Sequence, residues 1–380
     1  MTTAIFQYLN NEWLAPPDHT VCEESAVQLV LCFASKEILA GAGIYNAVKK
    51  KFPNAQIALS SMAGEILNQM VQDNSLVAAA VTFKATAIAT ASVNIKDFNS
   101  SYDAAMAMVD KLTQQELCYI LVLSDGSTKN GSELVKGLNR AVNNRVMITG
   151  RLAGDGGSFS ETLVGLIEQP AQGNIVAIGF YGQQLTVTHG SQGGWQTFGL
   201  EKEVTSSAGN KLFELDSKNA LEIYKKYLGP NTGNLPCSAW MFPLCVIIPG
   251  STQPVVRTIL SINNDEQSMT FAGEIPPGSK VRFMKANFDM LTSAAAEAAQ
   301  NTMPDKNKSP DFSLLISCVG RKIILGLRTE EEVEAVQESL GNKTPVAGFY
   351  SYGEIAPFNE GGNCRLHNQT MTITSFYELS

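Results

Sequence analysis

A strand–helix–strand pattern that occurs three times constrains the fold of this chain more than any other feature. Each copy has an apolar run of strand length, a segment with apolar residues at helical spacing and a second apolar run. The copies cover residues 28–66, 117–155 and 312–355. Two parallel strands joined by a helix are the repeating unit of α/β proteins. The pattern therefore predicts an α/β fold with mixed sheets flanked by helices and an internal duplication.

Further periodic segments precede the second and third copies, so that the order β-β-α-β-α-β is predicted in both halves of the chain. The additional strands and helices are expected near 76–83, 87–95 and 101–113, and near 255–262, 279–286 and 291–303. We expect two related α/β domains that meet between residues 180 and 230. The predicted segments are an N-terminal segment, 1–26, and two domains, 27–220 and 221–380.

All three copies end on a glycine followed by an acid. The pairs are Gly64-Glu65, Gly154-Asp155 and Gly353-Glu354. A glycine at a strand end admits close backbone approach, and an acid there lies where open α/β sheets commonly place their ligands. The alternative is turn chemistry, in which the carboxylate caps the next segment. We expect the pairs to close equivalent strands, and at least one acid, by preference that of Glu354, to face a concave pocket.

The charge and the hydropathy pattern exclude several classes of protein. Lys and Arg number 28 against 36 acids, and the net charge of −8 disfavours binding to nucleic acid. No stretch predicts a membrane span, and the N terminus lacks the charged and apolar regions of a secretory signal. The seven cysteines include no CxxC pair, which favours a reducing compartment and thus a cytoplasmic location.

The sequence lacks the motifs of the common catalytic sites. It has no GxSxG, HExxH, CxxCH or P-loop motif, and three histidines supply few general bases. Cys364 and His367 form a C-x-x-H pair without the second half that a zinc site needs. The sequence therefore favours a binding protein over an enzyme.

Several long segments resemble the FIST family, a sensory domain named for F-box and intracellular signal transduction proteins. They run in family order from about residue 27 to the end and include VLCFAS, ALSSMAGEI, TGRLAGDGGSFSETLV, GNIVAIGFYGQQLTVTHGSQGGWQTFG, FAGEIPPGSKVRFMKA and GFYSYGEIAP. The resemblance implies a FIST N-type domain over 27–220 and a FIST C-type domain over 221–380. It also implies an intracellular module that senses a small ligand, such as an amino acid, and regulates a signalling or chemotaxis protein.

Stand-alone bacterial members of this family are similar to haem-binding nitric oxide sensors that work beside histidine kinases. The resemblance therefore makes haem b a candidate cofactor and a histidine kinase a candidate partner. His189 follows the strand-like run QQLTVT and precedes GSQGGW, so it is the candidate iron ligand. The alternative is a hydrogen-bonded histidine in a turn. His367 is expected to bond the backbone of a neighbouring strand, and His19 is expected at the surface.

Tyr350, Tyr352 and Glu354 alternate along one predicted strand, so they are expected to share a face and to offer two phenols and a carboxylate to a ligand. The alternative is a core strand whose tyrosines reach backbone partners. The remaining candidate ligand-binding residues are polar side chains at or near the ends of apolar runs: Glu65, Arg151, Asp155, Arg321, Asn368 and Gln369. Asn368 and Gln369 are placed in the last strand, and Arg321 is a candidate partner for a carboxylate.

Overall fold

The structure is a computed structural model, and it describes residues 1–14, 22–127, 131–158, 160–235, 237–305, 308–357 and 362–379. His19 lies outside the described residues. The α-helices are α1 (Lys36–Ala40), α2 (Ile44–Lys51), α3 (Ser101–Val109), α4 (Gly131–Ala141), α5 (Ala220–Leu228), α6 (Phe288–Gln300), α7 (Val319–Leu325) and α8 (Thr329–Leu340).

The strands of the first half of the chain are β1 (Thr2–Leu9), β2 (Glu12–Leu14), β3 (Leu29–Ala34), β4 (Gln56–Ser61), β5 (Glu65–Leu67), β6 (Met70–Gln72), β7 (Leu76–Thr82), β8 (Ala87–Asn94), β9 (Leu117–Ser124), β10 (Met147–Leu152), β11 (Val164–Leu166), β12 (Asn174–Tyr181) and β13 (Leu185–Gln192). Those of the second half are β14 (Gln196–Ala208), β15 (Lys211–Leu215), β16 (Lys218–Asn219), β17 (Leu244–Ile247), β18 (Val255–Arg257), β19 (Ile259–Asn263), β20 (Ser268–Phe271), β21 (Lys280–Lys285), β22 (Phe312–Cys318), β23 (Val346–Ser351), β24 (Gly353–Pro357), β25 (Cys364–His367) and β26 (Met371–Glu378).

Three of the sheets follow one plan. Their strand orders are β11-β4-β3-β7-β1-β2 in the first sheet, β25-β24-β10-β9-β12-β8 in the second and β13-β26-β22-β23-β5-β6 in the third. The centre of each is a parallel pair joined through one or two helices: β3 with β4, β9 with β10, and β22 with β23. The three predicted β-α-β units and the mixed α/β fold are therefore confirmed, and the internal repetition extends to three units.

The chain leaves its own sheet after the second strand of each parallel pair. After β4 it enters the third sheet as β5, after β10 it enters the first sheet as β11, and after β23 it enters the second sheet as β24. Each unit thus contributes a strand to the sheet of another unit, and the three exchanges form a closed cycle. We call the three places where the chain changes sheet the crossings. They explain why the three units end alike, because each must turn sharply out of one sheet and into another.

A ring of backbone hydrogen bonds joins the three crossings. Its members are Ala63 N–H to Tyr350 O at 2.9 Å, Tyr352 N–H to Leu152 O at 3.2 Å and Gly154 N–H to Ser61 O at 3.2 Å. The donors occupy equivalent positions, each two residues after an acceptor of the ring. Gly154 is therefore equivalent to Ala63 and Tyr352, and not to Gly64 and Gly353. The second glycine–acid pair thus lies one residue earlier in its unit than the other two pairs do.

The inner faces of the three sheets meet in a central core around this ring. Phe33, Leu123 and Ile316 occupy equivalent positions in β3, β9 and β22 and are all fully buried. The outer faces pack against the helices, for example Leu138 of α4 and Val336 of α8. Burial of apolar side chains on both faces explains the nearly continuous apolar runs of the sequence.

The residues between β13 and β22 build a fourth sheet of order β18-β17-β21-β14-β15-β20-β19, with β16 beside β15. The strands that we expected near 255–262 and 279–286 lie in this sheet. The expectation that these two strands are repeat elements of the third unit was therefore wrong. In the third sheet, β13 pairs with β26 in the way that β8 pairs with β12 in the second sheet. The sequence misled because an inserted segment carries the same period-2 pattern.

Strands from both sides of residue 220 pair within the second and third sheets, as β24 does with β10 and β13 with β26. The three predicted segments of the chain share these sheets, and their boundaries stay a prediction. None of the helices in the described ranges combines the length and the apolar character that crossing a membrane requires.

Candidate functional site

A cavity of about 650 Å³ lies where the third unit meets the fourth sheet. Its lining includes the end of β13 and the turn that follows it, together with residues of β18 and β21. Among the residues that line it are His189, Gly193, Trp195, Val256, Met284 and His367. Its volume is within the range of sites for small molecules and cofactors.

The turn after β13 is fixed on both sides. Gly194 has φ +71°, and a Cβ at this position would collide with the carbonyl of Met290 in α6, so only glycine fits. The indole of Trp195 donates to the carbonyl of Gln369 at 2.9 Å. Gly193 and Gly194, which follow His189 in the sequence, thus form a wall of the cavity whose conformation is fixed by its neighbours.

Two histidines line the cavity and contact consecutive carbonyls at the end of β24. His189 Nε2 lies 3.1 Å from Pro357 O, and His367 Nε2 lies 3.1 Å from Ala356 O. The backbone contact predicted for His367 is thereby confirmed. Burial lowers the pKa of His367 to about 4, so its imidazole is neutral at pH 7.

None of the described residues that line the cavity is Asp, Glu, Lys or Arg. Its polar groups are the two histidines, the Trp195 indole, hydroxyl groups and amides, including Ser191, Asn301 and Thr370. Throughout the ranges that the structure describes, no group of three or more His, Cys, Asp or Glu side chains is arranged to hold a metal ion. The arrangement suits an uncharged, polar molecule with some apolar surface.

Arg321 supports the wall of the cavity from behind. Its Nη1 donates to Gly193 O at 2.7 Å, and its Nη2 donates to Leu291 O at 2.9 Å. The same guanidinium forms a fully buried ion pair with Glu332 of α8 at 2.7 Å. The carboxylate partner expected for Arg321 is thus part of the chain itself, and the residue does not line the cavity.

Tyr350, Tyr352 and Glu354 do not form one site. Tyr350 donates to Glu332 at 2.8 Å, whereas Tyr352 donates to Asp155. The expectation of a shared face was wrong because the chain passes from the third sheet to the second between residues 351 and 353, so the alternation of a single strand does not apply.

Glu65 and Glu354 have equivalent structural roles. Glu354 Oε2 accepts from the backbone N–H of Thr370 at 3.3 Å and from its hydroxyl at 2.9 Å, immediately before β26. Glu65 Oε2 accepts in the same way from Ser75, immediately before β7, at 3.3 Å for both bonds. Both carboxyls are fully buried, and burial raises the pKa of each to about 8. Neither lines the cavity, although Thr370 does.

At the second crossing, a different acid binds the backbone at the start of the neighbouring strand. The backbone N–H of Gly173, immediately before β12, is bound by Asp125, and Asp155 instead organises its own loop. Asp155 Oδ2 accepts from Ser160 N–H and Glu161 N–H, each at 2.9 Å. The acids of the three glycine–acid pairs therefore act on the backbone, as the turn-chemistry alternative holds. None of them lines this cavity, and the expectation that at least one faces a concave pocket stays a prediction.

Asn368 and Gln369 lie in the turn between β25 and β26, so their placement in the last strand was wrong. Gln369 has φ +61°, which a strand does not allow. Its Nε2 donates to Trp240 O at 3.3 Å. Arg151 is fully buried in β10 and lies outside the lining of the cavity.

Of the site residues predicted from the sequence, only His189 lines the cavity. The missed lining residues come from the fourth sheet and from the segment after α6, such as Val256, Met284 and Asn301. They are common residue types without a motif, and no signal in the sequence indicates that the inserted sheet covers β13.

Comparison with known proteins identifies the family. The FIST N domain matches residues 28–218 and the FIST C domain matches residues 220–357. Such domains are generally sensory domains of signal transduction that bind small ligands. No curated protein matches the chain.

Among solved structures, the chain is similar to the cyanuric acid hydrolase of A. caulinodans, at 7% identity and a TM-score of 0.34 over 100% of this chain and 99% of the other. A second cyanuric acid hydrolase, described as an evolutionary innovation by structural concatenation, gives 8% identity and a TM-score of 0.33 over 99% of both chains. Scores of this size establish neither a shared fold nor a shared activity. The two family domains together span most of the chain, which therefore belongs to the FIST family.

Proposed function

We propose that the protein is an intracellular sensor whose small ligand binds in the cavity between β13 and the fourth sheet. The observation that carries the proposal is the cavity itself, whose described lining has two histidines and one indole and includes no Asp, Glu, Lys or Arg. A zwitterionic amino acid, which the family resemblance suggests, would find no carboxylate for its ammonium group among the described residues of the lining. The favoured ligand is therefore an uncharged molecule that carries hydrogen-bond donors and acceptors.

The contacts behind the cavity supply a route for the signal. A ligand that displaces Gly193 changes its 2.7 Å bond to Arg321, which also binds α6 and α8. Because Arg321 is fully buried, loss of its bond to Gly193 would leave a buried N–H without an acceptor unless the neighbouring groups move with it. Ligand binding would thus alter the packing of α7 and α8, where a histidine kinase or chemotaxis protein would read it.

A cavity-filling variant tests the binding site. Val256→Trp places a bulky side chain in the lining, and Leu200→Trp adds the same side chain at a position that is 78% exposed. A ligand that binds the native state raises the melting temperature. In a thermal-shift screen of uncharged metabolites, a compound that stabilises the wild type should also stabilise Leu200→Trp and should fail with Val256→Trp. Equal stabilisation of both variants would place the ligand elsewhere.

The proposed role is binding without turnover. The ligand should be recovered unchanged after prolonged incubation with the protein, as measured by mass spectrometry of the mixture. Conversion of the compound at a rate that depends on the protein would instead assign an enzymatic activity to the cavity.

A second candidate function is a haem-based nitric oxide sensor, with His189 as the iron ligand. It is favoured because His189 lines the same cavity as the apolar side chains of Val187, Val255 and Met284. Since Nε2 of His189 lies 3.1 Å from Pro357 O, iron binding through this nitrogen requires that contact to break. When bound, haem would supply the iron at which a gas binds.

Haem reconstitution followed by a visible spectrum separates the two candidates. The haem proposal expects a Soret band in the wild type and in His367→Ala, and none in His189→Ala. A wild type without a Soret band, or equal bands in both variants, would reject His189 as the iron ligand.

A further inference from the structure

The ring that joins the three crossings places three residues at equivalent positions next to its acceptors. Ser60, Arg151 and Phe349 each directly precede an acceptor, and all three are fully buried. Each is also opposite a residue of the strand that enters from another unit. In the backbone register, Arg151 lies opposite Glu354 and Ser60 lies opposite Val164. Two polar side chains thus lie in the layer where the three units meet.

Arg151 is a buried cation without a counter-charge. Its Nη1 donates to Ser61 O at 3.1 Å, and its guanidinium carbon lies 4.0 Å from the centre of the Phe349 ring. Its Nε and Nη2 have no hydrogen-bond partner, and no described carboxylate pairs with it. The hydroxyl of Ser60 also lacks a partner.

The other buried arginines of the described residues are satisfied. Arg257 donates to the carbonyls of Glu274, Val256 and Leu366, and Arg321 binds Glu332 and two carbonyls. Buried polar groups almost always have partners, and an uncompensated buried charge is strongly unfavourable. Among the described arginines that are fully or almost fully buried, Arg151 is thus the one with N–H groups that lack a partner.

We propose that a small planar oxyanion, such as formate, nitrate or nitrite, binds at this position. The unused edge of the guanidinium, Nε with Nη2, is the edge that binds two oxygens of a carboxylate or nitrate side by side. The anion supplies the charge that Arg151 lacks, and the Ser60 hydroxyl is a further donor in the same layer. The site lies outside the cavity assigned to the sensed ligand, so it stands whether or not that assignment holds.

Thermal unfolding in increasing sodium formate or sodium nitrate tests this site. The melting temperature of the wild type should rise with the logarithm of the anion concentration. Once that concentration is well above the dissociation constant, each tenfold increase adds about 1.4 kcal/mol to the free energy of unfolding. Arg151→Met removes the charge and keeps an apolar side chain on Phe349, so this dependence should disappear. Arg257→Met is the matched control, because it removes a partnered buried arginine, and it should keep the dependence.

The same dependence in Arg151→Met as in the wild type would overturn the proposal, as would its absence in the wild type. A diffraction experiment on wild-type crystals grown in nitrate needs no variant to fold. It should show trigonal density within hydrogen-bonding distance of Nε and Nη2 of Arg151. Ordinary side-chain packing against this edge, with no density for an anion, would equally overturn it.

Discussion

The crossings and the cavity differ in how their polar groups are used. At the crossings, Glu65 and Glu354 are fully buried and bind the backbone at the start of a neighbouring strand. In the cavity, polar groups such as His189 and Asn301 face a space large enough for a small molecule. The comparison teaches that the repeated motif builds the scaffold, and our proposal places recognition where an inserted sheet interrupts the repeat.

Removal of a crossing carboxyl should have the largest effect on stability. Glu354→Ala leaves the hydroxyl and N–H of Thr370 without their acceptor in the interior, and we expect a loss of about 2–4 kcal/mol. Chemical denaturation measures the loss. Glu354→Gln, which keeps the shape, should lose about 1–3 kcal/mol. A loss near zero for both variants would remove Glu354 from the scaffold.

The glycines of the crossings should differ from each other. Gly64 has φ +134°, and a Cβ there would collide with the Lys322 side chain, so Gly64→Ala should cost about 1–3 kcal/mol. At Gly154 an added Cβ would have its nearest neighbour at 3.4 Å, and the backbone is not left-handed. Gly154→Ala should therefore be nearly neutral. Equal losses in the two variants would show that the crossings are under the same constraint.

Stability should depend on pH through the two crossing carboxyls. Burial raises the pKa of Glu65 and Glu354 from 4.5 to about 8, so the folded protein holds these protons more tightly than the unfolded chain. The free energy of unfolding should then fall as the pH rises from about 4.5 to 8, by at least about 1 kcal/mol. The double variant Glu65→Gln with Glu354→Gln should flatten this part of the profile. An unchanged slope would assign it to other groups.

Among the variants that remove a side-chain hydrogen bond, the smallest loss is expected at the second crossing. Tyr352→Phe removes one donor to Asp155, whose other oxygen keeps its bonds to Ser160 and Glu161. We expect a loss of about 0.5–1.5 kcal/mol. A double-mutant cycle with Asp155→Asn measures the coupling between the two side chains. Additive losses would mean that this contact contributes nothing to the junction of the second and third units.

The sequence was sufficient for the repeated elements and insufficient for their assembly. Apolar periodicity and turn residues are local, so the three β-α-β units and helices such as α4 and α8 could be predicted. The exchange of strands between sheets depends on contacts between residues that are far apart in the sequence. Tyr352 and Glu354 are close in sequence, and nothing in the local pattern shows that the chain changes sheet next to them. The cavity has no local signal because part of its wall, including Val256 and Met284, belongs to an inserted sheet.

Calorimetric titration of one stabilising compound into three proteins tests the separation of scaffold and recognition most directly. The compound is the one that stabilises the wild type in the thermal-shift screen, and the proteins are the wild type, His189→Gln and Glu354→Gln. We predict that His189→Gln weakens binding tenfold or more, about 1.4 kcal/mol, because a group lining the cavity is altered. Glu354→Gln should lower stability and leave the affinity within about twofold of the wild type, a difference below about 0.5 kcal/mol. Loss of affinity in Glu354→Gln, with full affinity in His189→Gln, would contradict the account and return recognition to the crossings.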